Sequence, residues 1–383
     1  MVRRVRKIVI VSHYFPPHVG GIEIVAQAEA EELSRAGHSV SVITSKVTKR
    51  ERSGEYFGVY VTRVPALNLF EKYGIPFPIF SPTLLTTTYR KVKHSDIVHV
   101  HDTFYLTSLV AGLAARHYKK PLILTQHVDF VSHPYKLVGL IERSVYRVNG
   151  AVLFKTSRKS LVINDRIKQF LLSRGVNGEN IVRLLNGVDT SMFRPVSMRD
   201  KLKLRKALGL NPDDFIVLFI GRFVPKKGYG AMLAARDSSY HMVFAGGDTP
   251  KKTYEHASFF GKVPHEQMAQ LFQTADVFVL PSKDEGFPLT VQEAMACGLP
   301  VITSDDPGYT TYMLDNNLIW LIKNPDFRSI KAAIQKLKAD IGQQKRMSRY
   351  SRRYAVTHFS WQNHVRELSK LYDEAIEVGS NRS

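Results

Sequence analysis

The stretch DVFVLPSKDEGFPLTVQEAMACGLPVIT, residues 276–303, decides the fold. Its apolar start predicts a buried strand, and a Gly-Phe-Pro turn then leads into a helix. Gly298 and Pro300 end that helix, and another apolar run follows. The stretch therefore predicts a strand–helix–strand unit, in which ligands commonly bind at the turn from strand to helix.

Two carboxylates, Glu285 and Glu293, bracket that turn. Unpaired N–H groups and the positive end of the helix dipole favour a phosphate at the start of a helix. Glu293 lies about one turn inside the helix, where it could accept two hydrogen bonds from a vicinal diol. The segment thus predicts a nucleotide-sugar site. Thr290-x-x-Glu293 also fits a capping box, in which Glu293 only bonds back to the helix start, and the sequence leaves this alternative open.

Short apolar runs alternate with helical patterns along the 383 residues, which predicts an α/β protein of two doubly wound, Rossmann-like parallel-sheet domains. We expect a first domain over residues 1–195, a second over 196–358 and a C-terminal helix over 359–383. Strands are predicted at 8–12, 40–44, 59–63, 97–101, 122–126, 181–185, 215–221, 241–246, 277–281 and 299–303. Helices are predicted at 21–36, 198–208 and 361–377.

The charge is strongly positive and unevenly distributed. The chain has a formal net charge of +20, and residues 1–195 hold 28 Lys and Arg against 14 Asp and Glu. Such an excess attracts an anionic partner such as nucleic acid, acidic lipid or a phosphorylated substrate. The basic residues are dispersed and form no zinc-finger or RNP-like pattern, so we expect no specific nucleic-acid binding. A merely solvating charge excess is the alternative.

Residues 64–93 form an apolar, aromatic run that closely spaced prolines interrupt. Prolines at this density prevent one long helix. The segment fits either a loop packed on its own domain or an exposed apolar surface beside Arg90, Lys91 and Lys93. The second interpretation would suit peripheral contact with an anionic membrane or a lipid-linked acceptor.

The sequence predicts a cytoplasmic protein, with association at the inner face of the cell membrane left open. The apolar run 8–11 is too short for a signal peptide, and no run approaches the roughly 18 apolar residues of a spanning helix. The single cysteine, Cys297, excludes an internal disulfide and is predicted to be a packing residue.

Fixed cations are candidates for binding a diphosphate, since the sequence has no Asp-x-Asp motif for a bridging metal. The segment GRFVPKKG, residues 221–228, offers Arg222 and Lys227, with Lys226 as a rival for the second position. Gly20 and Gly21 precede the first helix, where backbone can approach an anion closely. This loop has neither the dinucleotide-binding fingerprint nor a Walker motif, which argues against a cofactor-dependent oxidoreductase and against a P-loop ATPase.

Histidines follow two strands of the first half. His127 comes directly after the predicted strand 122–126, at the edge where doubly wound sheets bind ligands. His99 and His101 share one face of the strand 97–101. Together with Asp102, they are residue types that commonly bind metal ions. A plain strand at the edge of the cleft is the simpler interpretation, and we expect no metal there.

Residues 276–302, 221–228 and 186–195 resemble the retaining glycosyltransferases of family 4 (glycosyl transferases group 1), and weaker similarity extends over nearly the whole chain. This family has the GT-B fold, in which two Rossmann-like domains face an interdomain cleft and a C-terminal helix crosses back to the first domain. The resemblance implies that Arg222 and Lys227 bind the donor diphosphate and that His127 lies beside the donor sugar. It further implies that Glu285 holds sugar hydroxyls and Glu293 the ribose diol. The implied donor site is completed by Gly20, Gly21, Gly261, Val263, Gly286, Phe287, Pro288, Leu289 and Thr290.

The same resemblance implies a hexosyltransferase that moves a sugar from a nucleotide-diphosphate donor to an acceptor hydroxyl with retention, without metal or cofactor. A donor phosphate oxygen would take the acceptor proton, and domain closure would assemble the site. The acceptor stays open between a lipid-linked and another anionic alcohol. Two alternatives remain: a nucleotide-sugar epimerase or glycosyl phosphorylase of the same fold, and a non-catalytic protein that binds nucleic acid or another anionic polymer.

Overall fold

The structure is a computed structural model that describes residues 5–18, 20–46, 48, 51–68, 78–129, 136–283, 287–306, 309 and 312–380. The chain divides into two compact units. The first comprises Met1–Gly187 together with Trp361–Ser383, and the second comprises Val188–Ser360.

The first unit is built on a nine-stranded sheet. Its strands are β1 Lys7–Val11, β2 Ser39–Lys46, β3 Gly54–Tyr56, β4 Val59–Leu67, β5 Ile79–Phe80, β6 Ile97–His101, β7 Leu122–Gln126, β8 Ser157–Val162 and β9 Ile181–Arg183. The order is β3-β4-β2-β1-β6-β7-β8-β9, with β5 on β4. The two pairs β3–β4 and β4–β5 are antiparallel, and the other pairs are parallel. From β4 to β8 this is the Rossmann order 3-2-1-4-5-6.

Helices cover both faces of this sheet. They are α1 Gly21–Arg35, α2 Thr83–Lys93, α3 Leu106–His117, α4 Lys136–Thr156 and α5 Asp165–Ser173. The apolar stripe of α1, which includes Ala26, Ala30 and Leu33, packs against one face of the strands. Val92 of α2 and Ala114 of α3 pack against the other face. This sandwich follows from parallel strands that are apolar on both sides.

The second unit contains a six-stranded, fully parallel sheet. Its strands are β10 Ile216–Ile220, β11 His241–Ala245, β12 Ala257–Phe259, β13 Val277–Leu280, β14 Val301–Ser304 and β15 Trp320–Ile322. Its helices are α6 Met198–Ala207, α7 Tyr229–Ala234, α8 His265–Thr274, α9 Leu289–Ala296, α10 Phe327–Ala339 and α11 Ile341–His358. The order β12-β11-β10-β13-β14-β15 is again 3-2-1-4-5-6, so the loops after these strands meet at one edge.

The last helix, α12 Trp361–Ser380, returns to the first unit, as the resemblance implied. Its apolar residues Val365, Leu368 and Tyr372 join the core that contains α1. Arg6 also contacts α12, with its Nη2 2.8 Å from Oδ1 of the exposed Asp373.

The strands at 97–101 and 122–126 have the predicted bounds, and each of the other predicted strands differs by one to four residues in total at one or both ends. The strands β3, β5, β8, β12 and β15 were not predicted. β8 (SRKSLV) starts with polar residues, and the other four have only two or three residues each, so none gives a clear apolar pattern.

The boundary predicted at residue 195 lies inside the second unit, which begins at Val188. Two contacts explain this. The Val188 N–H donates to the carbonyl oxygen of Phe359 at 2.6 Å, and the fully buried Phe193 packs edge-on against Phe272.

Within the segment 64–93, residues 69–77 lie outside the described part of the chain. Leu84 and Val92 are buried in the core, whereas Leu67, Ile79 and Leu85 are exposed. Part of this segment is therefore packed in the core of its own domain and part is exposed, and its contact with a membrane stays a prediction. Among the helices that the structure describes, none has the length and apolar content to span a bilayer.

Candidate functional site

The loop after β10 carries Arg222 and Lys227 and is fixed to the loop after β13. The Lys283 N–H donates to the carbonyl oxygen of Lys226 at 2.8 Å. Gly228 has a left-handed φ of 73°, and a side chain there would collide with the carbonyl of Pro281. The predicted cations are thereby held beside the segment that leads into α9.

The two cations differ in exposure. Arg222 is exposed and forms no ion pair with any residue that the structure describes, while Lys227 is half-buried at the end of a 3₁₀ turn, Pro225–Lys227. Lys226, the rival candidate, is exposed, and its main chain makes the contact to Lys283. A positive loop is thus held at the ligand-binding edge of a parallel sheet.

No side chain in the described part of the chain caps the start of helix α9. Its N-cap is Pro288, whose carbonyl accepts the N–H groups of Val291 and Gln292. The capping box proposed for Thr290 and Glu293 is therefore wrong, because the carboxylate bonds elsewhere and the Thr290 hydroxyl is buried without a hydrogen-bond partner. The helix start remains available to an anion.

The carboxylate of Glu293 is only half satisfied. The residue is 3% exposed, and its Oε1 lies 2.8 Å from Nε2 of His265. Its Oε2 is buried and has no hydrogen-bond partner among the residues that the structure describes. Leaving a buried polar oxygen unpaired costs about 1–3 kcal/mol, so this oxygen is typical of a site that a ligand completes.

Sequence reasoning gave His265 no role of its own. The residue follows Pro264 at the start of α8, and only the packing of α8 beside α9 brings it to Glu293. No local sequence pattern predicts such a contact. Two other predicted site residues, Glu285 and Gly286, lie outside the described residues, so their roles stay predictions.

The loops after β11 and β12 adjoin the same edge. The Gly246 N–H donates to the carbonyl oxygen of Gly261 at 2.8 Å. Gly246 has a φ of 96°, and a Cβ there would lie 2.9 Å from the carbonyl oxygen of Gly221. Val263 is half-buried, and the exposed Lys262 pairs with Asp248 at 2.9 Å. Gly261 therefore contacts the loop after β11, and the loop after β11 packs against the loop after β10. Val263 lies two residues beyond Gly261 in the same loop.

In the first unit, the carboxylate of Glu23 already lies beside the start of α1. A side chain at Gly20 would collide with the carboxylate of Glu23, which lies 2.8 Å from Nδ1 of His18. The sequence predicted that Gly20 and Gly21 would admit an external anion. Any such anion must now share this position with Glu23.

His127 follows β7 as predicted and is buried. Its main-chain N–H donates to Oδ1 of Asp102 at 2.7 Å, and its Nε2 lies 2.9 Å from Nδ1 of His101. Burial lowers the pKa of His127 to about 3. The imidazole is therefore neutral at physiological pH.

Asp102 is a second residue whose importance the sequence did not show. It has a left-handed φ of 60°, which is uncommon for a non-glycine residue, and its Oδ2 is buried without a hydrogen-bond partner. Burial raises its pKa to about 7, against the lowering effect of the two N–H groups that it accepts from His127 and Val128. This acid fixes the turn that carries His127.

Glu29, His99 and His101 place ligand atoms within 4.8 Å of one another, as a metal site requires. Glu29 Oε2 lies 3.3 Å from His101 Nε2 and 3.5 Å from His99 Nδ1. Both ring nitrogens of His99 are, however, already bonded, to Tyr372 and to Thr125. A metal would have to break one of these bonds, so the arrangement fits a hydrogen-bonded network better.

Two family models match consecutive parts of the chain. "Glycosyltransferase Family 4" matches residues 19–192, and "Glycosyl transferases group 1" matches residues 200–354. Among solved structures, HepE from Anabaena in complex with UDP-glucose is similar with a TM-score of 0.76 at 16% identity, covering 96% of this chain and 100% of that one. The fold is therefore GT-B, and the protein is a glycosyltransferase. The chain belongs to glycosyltransferase family 4, group 1.

Curated relatives agree with this assignment. An uncharacterized glycosyltransferase of Methanocaldococcus jannaschii is 25% identical, with 97% of this chain and 99% of the relative covered. A D-inositol 3-phosphate glycosyltransferase of Mycobacterium marinum is 27% identical, with 93% of this chain and 82% of the relative covered.

Proposed function

We propose that this enzyme transfers a hexosyl group, with retention of configuration, from a nucleoside-diphosphate sugar to an acceptor hydroxyl. One observation carries the proposal: the buried, unpartnered Oε2 of Glu293 on the uncapped helix α9. A ribose hydroxyl that donates to Oε2 would satisfy this oxygen. Because HepE binds UDP-glucose, a UDP-sugar is the first donor to test.

The diphosphate is proposed to bind between the loop 221–228 and the start of α9. Arg222 and Lys227 supply two positive charges, and the helix start adds about half a charge and free N–H groups. These groups would stabilise the negative charge that develops on the leaving phosphate. We therefore propose that transfer needs no divalent metal ion.

The proposed chemistry follows the resemblance to retaining enzymes. The bond between the anomeric carbon and the phosphate oxygen breaks while the acceptor oxygen attacks from the same face. The acceptor proton passes to the departing phosphate oxygen, which gives a free nucleoside diphosphate and a glycoside of unchanged anomeric configuration. The roles implied for His127 and Glu285 are part of this proposal.

We propose an anionic acceptor, because residues 1–195 carry twice as many basic as acidic side chains. A phosphorylated polyol is the first to test, since a relative is named for D-inositol 3-phosphate. A lipid-linked acceptor, met by a cytoplasmic enzyme at an anionic membrane, is the second. Leu67, Ile79 and Leu85 are exposed in the same segment of sequence as the exposed, basic Arg90 and Lys93, which supports this second acceptor.

The first experiment measures thermal stabilisation by UDP, GDP and ADP, with and without EDTA. A tight ligand at 100 times its Kd stabilises the folded protein by about 2.7 kcal/mol. We expect one of the three to stabilise the protein equally well in EDTA. No stabilisation by any nucleotide, together with strong salt-dependent RNA binding, would favour the non-catalytic alternative.

The second experiment supplies UDP-glucose with inositol phosphate, free inositol or no acceptor, and reads product configuration by NMR. We expect nucleotide release that depends on the phosphorylated acceptor and an α-linked product, which retains the donor configuration. Isomerised donor without acceptor would indicate an epimerase, and phosphorolysis of a glycoside would indicate a phosphorylase. Cosedimentation with anionic and neutral vesicles tests the membrane proposal separately.

A further inference from the structure

A chain of buried side chains runs from α12 through α1 to His127. His364 Nε2 lies 2.8 Å from Glu29 Oε1, Glu29 Oε2 lies 3.3 Å from His101 Nε2, and His101 Nδ1 lies 2.9 Å from His127 Nε2. All four residues are buried, so water does not screen these contacts. All four belong to the first unit.

The hydrogen bonds of His364 determine where its protons lie. Its Nδ1 is 2.6 Å from the carbonyl oxygen of Leu185, which can only accept, so Nδ1 carries a proton. Its Nε2 faces the carboxylate of Glu29. An ionised Glu29 then requires a proton on Nε2 as well, which makes His364 an imidazolium. Although burial raises the pKa of Glu29, the neighbouring histidines His101, His99 and His364 outweigh this effect and hold it well below its usual value.

The ionised Glu29 also determines the tautomer of His101. Its Oε2 faces His101 Nε2 at 3.3 Å, outside hydrogen-bond geometry but close enough for strong electrostatics. A proton on Nε2 is attracted to the carboxylate, whereas a lone pair there would be repelled by it. The charge of Glu29 is already balanced by the imidazolium of His364, so a second buried cation at His101 would have no counter-charge. His101 is therefore neutral, carries its proton on Nε2 and accepts a hydrogen bond at Nδ1.

An acceptor at His101 Nδ1 requires a donor at His127 Nε2, 2.9 Å away. Since His127 is neutral, its Nδ1 then has no proton and can accept a hydrogen bond. In the opposite tautomer Nδ1 would be a donor, and its interaction with a hydroxyl-bearing ligand would change sign. Fixing a histidine tautomer through a buried carboxylate is a known way to set the chemistry of the ring.

We propose that Glu29 is a positioning residue that acts through His101 to hold His127 as its Nε2–H tautomer, with Nδ1 kept as a hydrogen-bond acceptor. Asp102 complements this role, because it holds the main chain of His127 while Glu29 orients the ring protons. The consequence for sugar transfer rests on the proposed function. The tautomer itself does not, so it can be tested separately.

The test is a two-dimensional ¹⁵N–¹H spectrum of the full-length protein labelled at histidine, which distinguishes Nε2–H, Nδ1–H and imidazolium rings. His101, His127 and His364 are assigned by single replacement with glutamine. In the wild type we expect His101 and His127 to be Nε2–H and His364 to be doubly protonated. A His127 ring with its proton on Nδ1 would refute the proposal without reference to activity.

Two variants of Glu29 separate the tautomer effect from simple packing. In Glu29→Gln the amide oxygen can accept from His101 and the amide NH₂ can donate to His364. We therefore expect His364 to become neutral and His127 to keep its tautomer. In Glu29→Leu no carboxylate favours a proton on Nε2 of His101, so we expect both tautomers of His127. We expect kcat to be about tenfold lower, because one oriented hydrogen bond is lost. Glu29→Gln should keep kcat within about twofold.

The matched control is Tyr372→Phe, which removes the 2.8 Å contact between the Tyr372 hydroxyl and His99 Nδ1. It weakens the same docking of α12 but leaves the path from Glu29 to His127 intact. We expect no change in the His127 tautomer. If Tyr372→Phe and Glu29→Leu alter the His127 signals equally, Glu29 acts only through packing and the proposal fails. Should the enzyme lack transferase activity, the spectra still decide the tautomer, so the two proposals fail separately.

Discussion

Nε2 of His265 lies 2.8 Å from Oε1 of Glu293, and the other oxygen, Oε2, is buried with no hydrogen-bond partner in the part of the chain that the structure describes. One oxygen is thus used to orient the carboxylate, and the other can accept from a ligand. This division is what a diol-binding carboxylate needs, since an oriented acceptor loses little entropy on binding.

Glu293→Gln should weaken nucleotide binding. The amide places an N–H₂ group where one oxygen accepts, so at least one charge-assisted hydrogen bond is lost, worth about 1.5–3 kcal/mol or roughly 10–150-fold in Kd. Isothermal titration with the nucleotide that stabilises the wild type measures this change. Glu367→Gln, at an exposed position of α12, is the control and should leave Kd unchanged. Equal affinities for Glu293→Gln and wild type would remove the diol role.

Arg222→Ala and Lys227→Ala should each lower kcat by roughly 10–100-fold, because each removes a charge-assisted hydrogen bond to the diphosphate. Steady-state kinetics with the active donor measure the loss. Lys226→Ala is the neighbouring control, since the main chain of Lys226 contacts Lys283 and its side chain is exposed. A larger loss in Lys226→Ala than in Lys227→Ala would reassign the second cation.

Gly228→Ala should destabilise the second unit by about 2–4 kcal/mol, because Ala is strained at a positive φ and its Cβ would overlap the carbonyl of Pro281. Gly230→Ala is two residues away, in α7, with open space around it, and should be neutral or stabilising by about 0.5 kcal/mol. Scanning calorimetry compares the two. Similar transitions for both variants would show that the loop is not held against Pro281.

Asp102→Asn should stabilise the protein more at pH 8 than at pH 5. The pKa of Asp102 is raised from 3.8 to about 7 on folding, so the folded state holds the extra proton between these values, and stability falls as the pH rises through this window. At about 1.36 kcal/mol per pKa unit, the gain of Asn over Asp should grow by roughly 2–3 kcal/mol from pH 5 to pH 8.

Asn suits this position because its amide oxygen can still accept from His127 and because it tolerates the left-handed conformation. Denaturation of both proteins at the two pH values is the measurement. A stability difference that does not vary with pH would mean that Asp102 keeps an ordinary pKa in the folded protein.

The fold could largely be predicted from the sequence. The runs at 97–101 and 122–126 contain enough consecutive apolar or β-forming residues to define their strands, and the 3.6-residue spacing of α1 and α12 defines which face packs inward. The positions of Arg222, Lys227 and His127 after strands followed from the same patterns. Their roles in the reaction stay predictions.

Other features could not be predicted, because they depend on contacts between distant residues. Thr290 and Glu293 have capping-box spacing, yet Glu293 bonds to His265, 28 residues away. The partner of Glu29 lies 335 residues further along the chain. Neither contact can be predicted from the spacing of nearby residues in the sequence.

The sequence by itself determined the two strand–helix domains, the helices α1, α6 and α12 and the start of α9, since each depends on apolar periodicity and turn residues over a short span. Only the tertiary structure decided which polar atoms inside those sheets are satisfied. The protonation of His127, the strained Asp102 and the unpaired oxygen of Glu293 all depend on burial and on neighbours from other elements. The free energy of a buried polar group is set by these surroundings and not by its place in the chain.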